Sequence, residues 1–257
     1  MSSPGQVTVT FAGSGDAFGS GGRYQACVHV RPPGGAPPVL LDCGATSLSA
    51  LRCCGLDPGE IAAVFVSHLH GDHFGGIPFL ILDGQFAGRT SPLTVIGPPG
   101  TARRLPELME GMFPGSSGVR RRFAVAVAEL RPGAAVTAAG VRAEGFAVEH
   151  PSGPDGPALA LRLTLGGPAG DTVIGYTGDT AWTDALIDVA AGADLLIAEA
   201  YYRDKAVPYH LRHADLVAHA GRLASRRIVL THMSADMLDH LDQARFETAS
   251  DGLVLHV

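Results

Sequence analysis

Ser67-His68-Leu69-His70-Gly71-Asp72-His73 puts four ligand-capable side chains within six residues, at the end of an apolar run from Ile61 to Ser67. In an extended segment, residues two apart point the same way, so His68 and His70 can share one metal. At Gly71 the chain can turn into a helix, which aims Asp72 and His73 at a second metal nearby. Imidazole and carboxylate donors suit zinc, with manganese and iron as alternatives. The competing reading is a pair of core histidines with a helix cap at Asp72. It would bury several polar groups without partners, which is costly.

Two metals need more ligands, and the chain offers them where strands end. His150 follows Phe146-Ala147-Val148-Glu149, Asp179 lies in Gly178-Asp179-Thr180 after Ile174–Thr177, and His232 follows Ile228-Val229-Leu230-Thr231. Each alone reads as a turn or cap residue. After the first cluster, they complete two sites, with Asp179 supplying a bridging carboxylate.

The rest of the chain is read around this core. Of 257 residues, 46% are apolar and 17% charged, which excludes disorder as a description of the whole. Nineteen Lys and Arg against 25 Asp and Glu give a net charge of −6, so long nucleic acid lacks the basic face it needs. No basic start followed by an apolar run marks a secretory signal, and no stretch approaches the ~20 apolar residues of a membrane span. Cys27, Cys43, Cys53 and Cys54 have no CxxC spacing and read as free thiols of a cytoplasmic protein. Strand patterns cluster in each half, with helices between them: 47–54, 74–86 and 101–112 in the first, 184–191 and 214–224 in the second. Leu159–Leu165 and Thr172–Thr177 form an antiparallel pair across Gly166–Gly170, and Leu253–Val257 closes an edge. This order favours an α/β chain of two stacked sheets with helices outside, as one domain over residues 1–257.

The His-x-His-x-Asp-His segment, a later His, Gly-Asp-Thr and a late Thr-His together resemble the metallo-β-lactamase superfamily. The resemblance implies its αββα four-layer sandwich. It implies His68, His70 and His150 at one metal, Asp72, His73 and His232 at the other, and Asp179 between them. Asp42, in Leu41-Asp42-Cys43-Gly44, resembles the family's strand-end Asp that supports the ligands. His70, where the flavodiiron branch has Glu, implies hydrolysis.

Within the superfamily the tail is similar to the ribonuclease Z branch. Ala198-Glu199-Ala200-Tyr201 resembles the His-Glu-Ala-Thr box, Arg212-His213-Ala214 the His-Ser-Thr box, and Thr231-His232-Met233-Ser234 the metal-ligand segment. By that resemblance His213, oriented by Glu199, serves the scissile phosphate or the leaving oxygen. The tRNA-processing members commonly insert a long arm between the third His and Gly-Asp-Thr. Here the residues from Pro151 to Gly178 are only enough for two strands and a turn. The expectation is therefore a dinuclear zinc phosphodiesterase acting on a small or cyclic phosphodiester, with a metal-bridging hydroxide as nucleophile and Asp72 as the acceptor of its proton. The same metals would also serve a lactone, thioester or amide hydrolase, a ribonuclease Z-type endonuclease, or a metal-binding protein without turnover. The resemblance leaves a homodimer open.

Overall fold

The computed structural model describes residues 5–154, 156–168 and 170–257. The first sheet uses β1 (Thr8–Gly13), β2 (Cys27–Arg31), β3 (Val39–Leu41), β4 (Ala63–Phe65), β5 (Leu93–Gly97) and β6 (Val125–Glu129). The second uses β7 (Ala135–Ala138), β8 (Val141–Ala147), β9 (Leu159–Leu165), β10 (Thr172–Tyr176), β11 (Leu195–Glu199), β12 (Ile228–Thr231) and β13 (Glu247–Thr248). Strand β14 (Val254–His256) then returns to the first sheet and pairs antiparallel with β1. The two orders are β14-β1-β2-β3-β4-β5-β6 and β13-β12-β11-β10-β9-β8-β7.

Period-two patterning stacks the sheets. Along β11, Leu195 and Ile197 join the core between the sheets, while Leu196 and Ala198 face the outer helices. A strand covered on both faces needs an unbroken apolar run, which is what Leu195-Leu196-Ile197-Ala198 supplies. The inner core joins Val9, Phe11, Val30 and Phe65 of one sheet to Leu161, Leu163, Ile174 and Val229 of the other. Outside the first sheet lie α1 (Ser47–Cys53), α2 (Gly71–Phe74), α3 (Ile77–Phe86) and α4 (Thr101–Met112). Outside the second lie α5 (Ala185–Ala190), α6 (His213–Ala218) and α7 (Ala235–Leu238). The result is the expected αββα sandwich.

Three local expectations are corrected. The helix expected over 74–86 is two pieces, α2 and α3, broken at Gly75-Gly76. At the break Gly76 donates its N–H to Cys43 O at 2.8 Å instead of to the preceding turn, and the close approach demands glycine, since a Cβ there would lie 2.1 Å from the Gly44 carbonyl oxygen. The helix expected over 214–224 stops at Ala218 and continues as a 3-10 turn over Ala220–Arg222. The short strands β7 and β13, at the edge of the second sheet, were not anticipated. Strands β9 and β10 pair in antiparallel register, Leu165 opposite Thr172, as expected. Ala169, within the expected Gly166–Gly170 connection, lies outside the described residues.

Topology sets the position of the site. Strands β3, β4 and β5 run parallel, as do β10, β11 and β12. Their carboxyl ends open at one edge of the sandwich, where open α/β sheets carry their ligands.

Candidate metal centre

His68 and His70 leave β4 in extended chain, and α2 begins at Gly71 and carries Asp72 and His73. His150 lies beyond β8, Asp179 beyond β10, Glu199 at the end of β11, and His232 beyond β12. Every residue proposed from the sequence as a ligand reaches this edge. Three groups form with all ligand atoms within 4.8 Å of one another: His68, His70 and His150; Asp72, His73, Asp179 and His232; and Asp179, Glu199, His210 and His232, which shares Asp179 and His232 with the second. Asp179 belongs to the second group, so the first is made of imidazoles alone.

Side-chain contacts behind the ligands fix which nitrogen faces inward. Asp42 is fully buried in a left-handed turn at φ 58° and accepts from Ser67 N–H, Ser67 Oγ, Tyr176 Oη and His73 Nδ1, each at 2.7 Å. Tyr176 comes from the opposite sheet, so Asp42 also ties the two sheets together below the site. With Nδ1 donated to Asp42, His73 turns Nε2 to the cluster. That nitrogen lies 3.2 Å from Asp72 Oδ2, 3.2 Å from Asp179 Oδ1 and 3.3 Å from His232 Nε2. His150 donates Nδ1 to the Tyr209 carbonyl at 3.0 Å and presents Nε2 to His70 Nδ1 at 3.1 Å. His232 is held at φ 56° with its N–H on Ser14 O. A non-glycine residue in that conformation is strained, which is common where geometry serves a site.

The electrostatics divide the site in two. Burial, reinforced by His73, holds His68 well below the usual histidine pKa. Burial also lowers His70 and His150. Burial works against charge on His73 as well, but Asp179, Asp72 and Asp42 overcome it and raise its pKa well above the usual range. His232 is pushed up to about 10, where burial is outweighed by Asp179 and Asp72.

The residues fit metal ions. His68 Nε2 and Asp179 Oδ1 are wholly buried and have no hydrogen-bond partner among the described residues. His73 Nε2 faces two carboxylates and another imidazole nitrogen, and a single N–H cannot satisfy all three. Cations within the first two groups would satisfy these atoms together. Three imidazoles, and two imidazoles with two carboxylates, are donor sets suited to zinc or to manganese and iron.

Above the ligands lies a cavity of about 170 Å³, lined by Ala17, Phe18, His70, Asp72, His150, Asp179, Tyr201, His210 and His232. A larger cavity of about 270 Å³ between α3 and α4 is lined by Ile81, Leu105, Met109, Phe123 and their neighbours, with no His, Asp, Glu or Cys. The smaller cavity, lined by six His and Asp side chains, is therefore the candidate site.

Glu199 was paired with His213 from the sequence, and the structure corrects this. His213 is the first residue of α6; its Nε2 accepts the Arg245 N–H at 3.0 Å, and it does not line the cavity. The imidazole on Glu199 is His210, with Nδ1 2.5 Å from Oε1. Glu199 is fully buried, and its other oxygen accepts Thr180 N–H at 2.9 Å and Leu211 N–H at 3.2 Å. What separates the two histidines is where α6 begins. His210 lies in the loop from β11 to α6, over the strand ends, where loops carry function, whereas His213 starts the helix and packs beside Phe246. Of the nearby aromatic residues, Tyr201 lines the cavity, stacked on His210 at 4.6 Å, while Trp182 stacks on His219 at 3.9 Å.

Comparison with known proteins agrees with this geometry. Residues 38–233 match the family model described as the beta-lactamase superfamily domain. A ribonuclease Z of Haloferax volcanii is 30% identical, over 93% of this chain and 89% of that protein. The metallo-β-lactamase fold protein YhfI of Bacillus subtilis superposes with a TM-score of 0.78 at 21% identity, covering 98% of this chain and 100% of that one. The short form of human tRNase Z gives 0.76 at 25% identity, covering 96% and 98%.

Proposed function

This chain belongs to the metallo-β-lactamase superfamily, and we propose that within it the chain is a dinuclear metal-dependent phosphodiesterase of small anionic phosphodiesters. The observation that carries the reading is His210, an imidazole that belongs neither to the His68 group nor to the His73 group but sits beside Asp179 and His232, held by the buried Glu199 on the wall of the same cavity. Cleaving a phosphodiester releases an alkoxide, which a positioned acid must protonate. Glu199 accepts a hydrogen bond from His210 Nδ1 and so favours the doubly protonated imidazolium, whose Nε2 proton passes to the departing oxygen and leaves a neutral imidazole. His68, His70 and His150 would hold one cation, and Asp72, His73 and His232 the other, with Asp179 between. When bound, a pair of divalent cations lowers the pKa of water toward neutrality and neutralises charge on the phosphoryl oxygens. Asp72, on the cavity wall, accepts the proton of the attacking water. Zinc is the metal we assign, with manganese and iron as alternatives.

The ribonuclease Z of Haloferax volcanii supports a second reading, RNA cleavage. Against a long RNA stand the net charge of −6 and the stretch between His150 and Asp179, whose described residues form the β9–β10 pair. We place the protein in a reducing compartment, the cytoplasm, because all four cysteines are free. No described helix is long and apolar enough to cross a membrane.

Zinc-loaded protein assayed on bis-p-nitrophenyl phosphate, cyclic nucleotides, a lactone, a thioester and an RNA oligonucleotide tests the reading. The small phosphodiesters should be turned over at least ~10-fold faster than the carbonyl esters in kcat/KM. Faster turnover of the lactone or thioester would overturn it, and faster turnover of the RNA would favour the second reading.

A further inference from the structure

Phe18 lines the metal-site cavity and yet leaves 84% of its surface exposed, so its ring stands at the mouth. The segment that presents it, between β1 and β2, is tied down. Asp16 Oδ1 accepts Phe18 N–H at 3.2 Å and Ser20 N–H at 2.9 Å, and its Oδ2 accepts Ser20 Oγ at 2.7 Å. Gln25 Nε2 donates to the Ala17 carbonyl at 3.1 Å, and Gly15 N–H to Tyr24 O at 2.7 Å. The backbone on both sides of the ring is thus fixed, and a phenyl group that the core could have buried is held out in water. Phe86 is as exposed, but it lines a depression beside α4 rather than the metal cavity. The same cavity is lined by Tyr201, stacked on His210.

The cavity beneath is small and carries ionisable side chains, among them Asp72, His150 and His210. About 170 Å³ is well below the roughly 300–1,000 Å³ of a site that swallows a whole drug-sized ligand. It admits a phosphoryl group, and whatever is esterified to that group must leave past the ring. A flat, rigid, solvent-facing ring beside an anion site matches the two chemical halves of a nucleotide. Every base has a π-face, and stacking on an aromatic side chain tolerates any of them. A base paired within a duplex has no such face free.

We propose that Phe18 is a stacking platform for the base of the substrate, so that the substrate class is a nucleoside phosphodiester with an unpaired base. This rests on the phosphodiesterase reading above, and its test separates the two. Two esters with the same leaving group are compared, thymidine 5′-(p-nitrophenyl phosphate) and methyl p-nitrophenyl phosphate, on the zinc-loaded protein. The nucleoside ester should exceed the methyl ester in kcat/KM by roughly tenfold or more, the scale of one base stack. In Phe18→Ala that preference should fall below about twofold, and in Phe18→Trp it should persist. Hydrolysis of both esters with no preference, or a preference that survives Phe18→Ala, overturns the platform while leaving the phosphodiesterase reading intact. If neither ester is cleaved, the phosphodiesterase reading fails, and calorimetry then decides the platform. Thymidine 5′-phosphate should bind at least tenfold tighter than inorganic phosphate to the wild type but not to Phe18→Ala; equal affinities overturn it.

Discussion

Glu199 Oε1 lies 2.5 Å from His210 Nδ1 and 3.4 Å from His232 Nδ1, so one buried carboxylate faces both a candidate metal ligand and a candidate acid. Its second oxygen is anchored by two backbone N–H groups, from Thr180 and Leu211. The carboxylate therefore cannot swing away, and it aligns the strand end carrying Asp179 with the loop carrying His210.

Removing His210 should cost chemistry rather than metal. His210→Ala is expected to lower kcat on a phosphodiester by roughly 10²–10⁴-fold, the usual contribution of a positioned acid. Zinc content by plasma emission should stay unchanged. His213→Ala, away from the cavity, should stay within about threefold of wild type. The reverse ranking in initial rates would return the role to His213.

Asp42 gathers four donors in a fully buried position, so Asp42→Asn leaves at least one donor facing the new amide N–H₂. Losing such a charged acceptor should destabilise the metal-free protein by about 2–4 kcal/mol in urea unfolding. Because His73 Nδ1 loses its partner, zinc affinity in a chelator competition should fall by about 10–100-fold. Unchanged affinity would show that Asp42 supports the fold alone.

His29 supplies a pH dependence that involves no ligand. It is 2% exposed in β2, and burial, then Arg31, lowers its pKa to about 4 from 6.5. The unfolded chain therefore binds the proton more readily than the folded one. The stability is fully present above about pH 6.5 and is lost as pH falls toward about 4, up to about 3 kcal/mol in all. Urea midpoints across that window should be flatter for His29→Leu than for wild type. Equal slopes would place the acid sensitivity elsewhere.

Gly76 and Gly71 flank the same short helix but differ in space. A Cβ on Gly76 would meet the Gly44 carbonyl at 2.1 Å, whereas one on Gly71 meets nothing within 4 Å. Gly76→Ala should cost on the order of 1–3 kcal/mol or more, because the obstacle is backbone and cannot rotate away. Gly71→Ala should change stability by no more than about 0.5 kcal/mol. Thermal unfolding of the metal-free variants distinguishes them.

The same pair shows where the sequence is legible and where it is not. The clustering of these side chains could be read because His68, His70, His150, Asp179 and His232 each follow a recognisable apolar strand, and strand ends converge by topology. The αββα order followed from apolar runs such as Leu195-Leu196-Ile197-Ala198, which need cover on both faces. The break at Gly75-Gly76 was hidden, because it depends on a carbonyl from Gly44, far away in sequence. His210 was hidden for a related reason. Which of two histidines three residues apart meets Glu199 is decided by where α6 starts, and local composition does not fix that. Strands β7 and β13 are short edge strands whose partners, rather than their own pattern, define them.

The central claim is that two donor groups at one edge of the sandwich hold a metal pair. Zinc bound per chain, measured by plasma emission after loading and removal of excess metal, tests it most directly. We predict about two zinc ions per wild-type chain and no more than one in Asp72→Ala combined with His232→Ala, which strips the second group. Fewer than one zinc per wild-type chain at saturation, or an undiminished count in the double variant, would contradict the account.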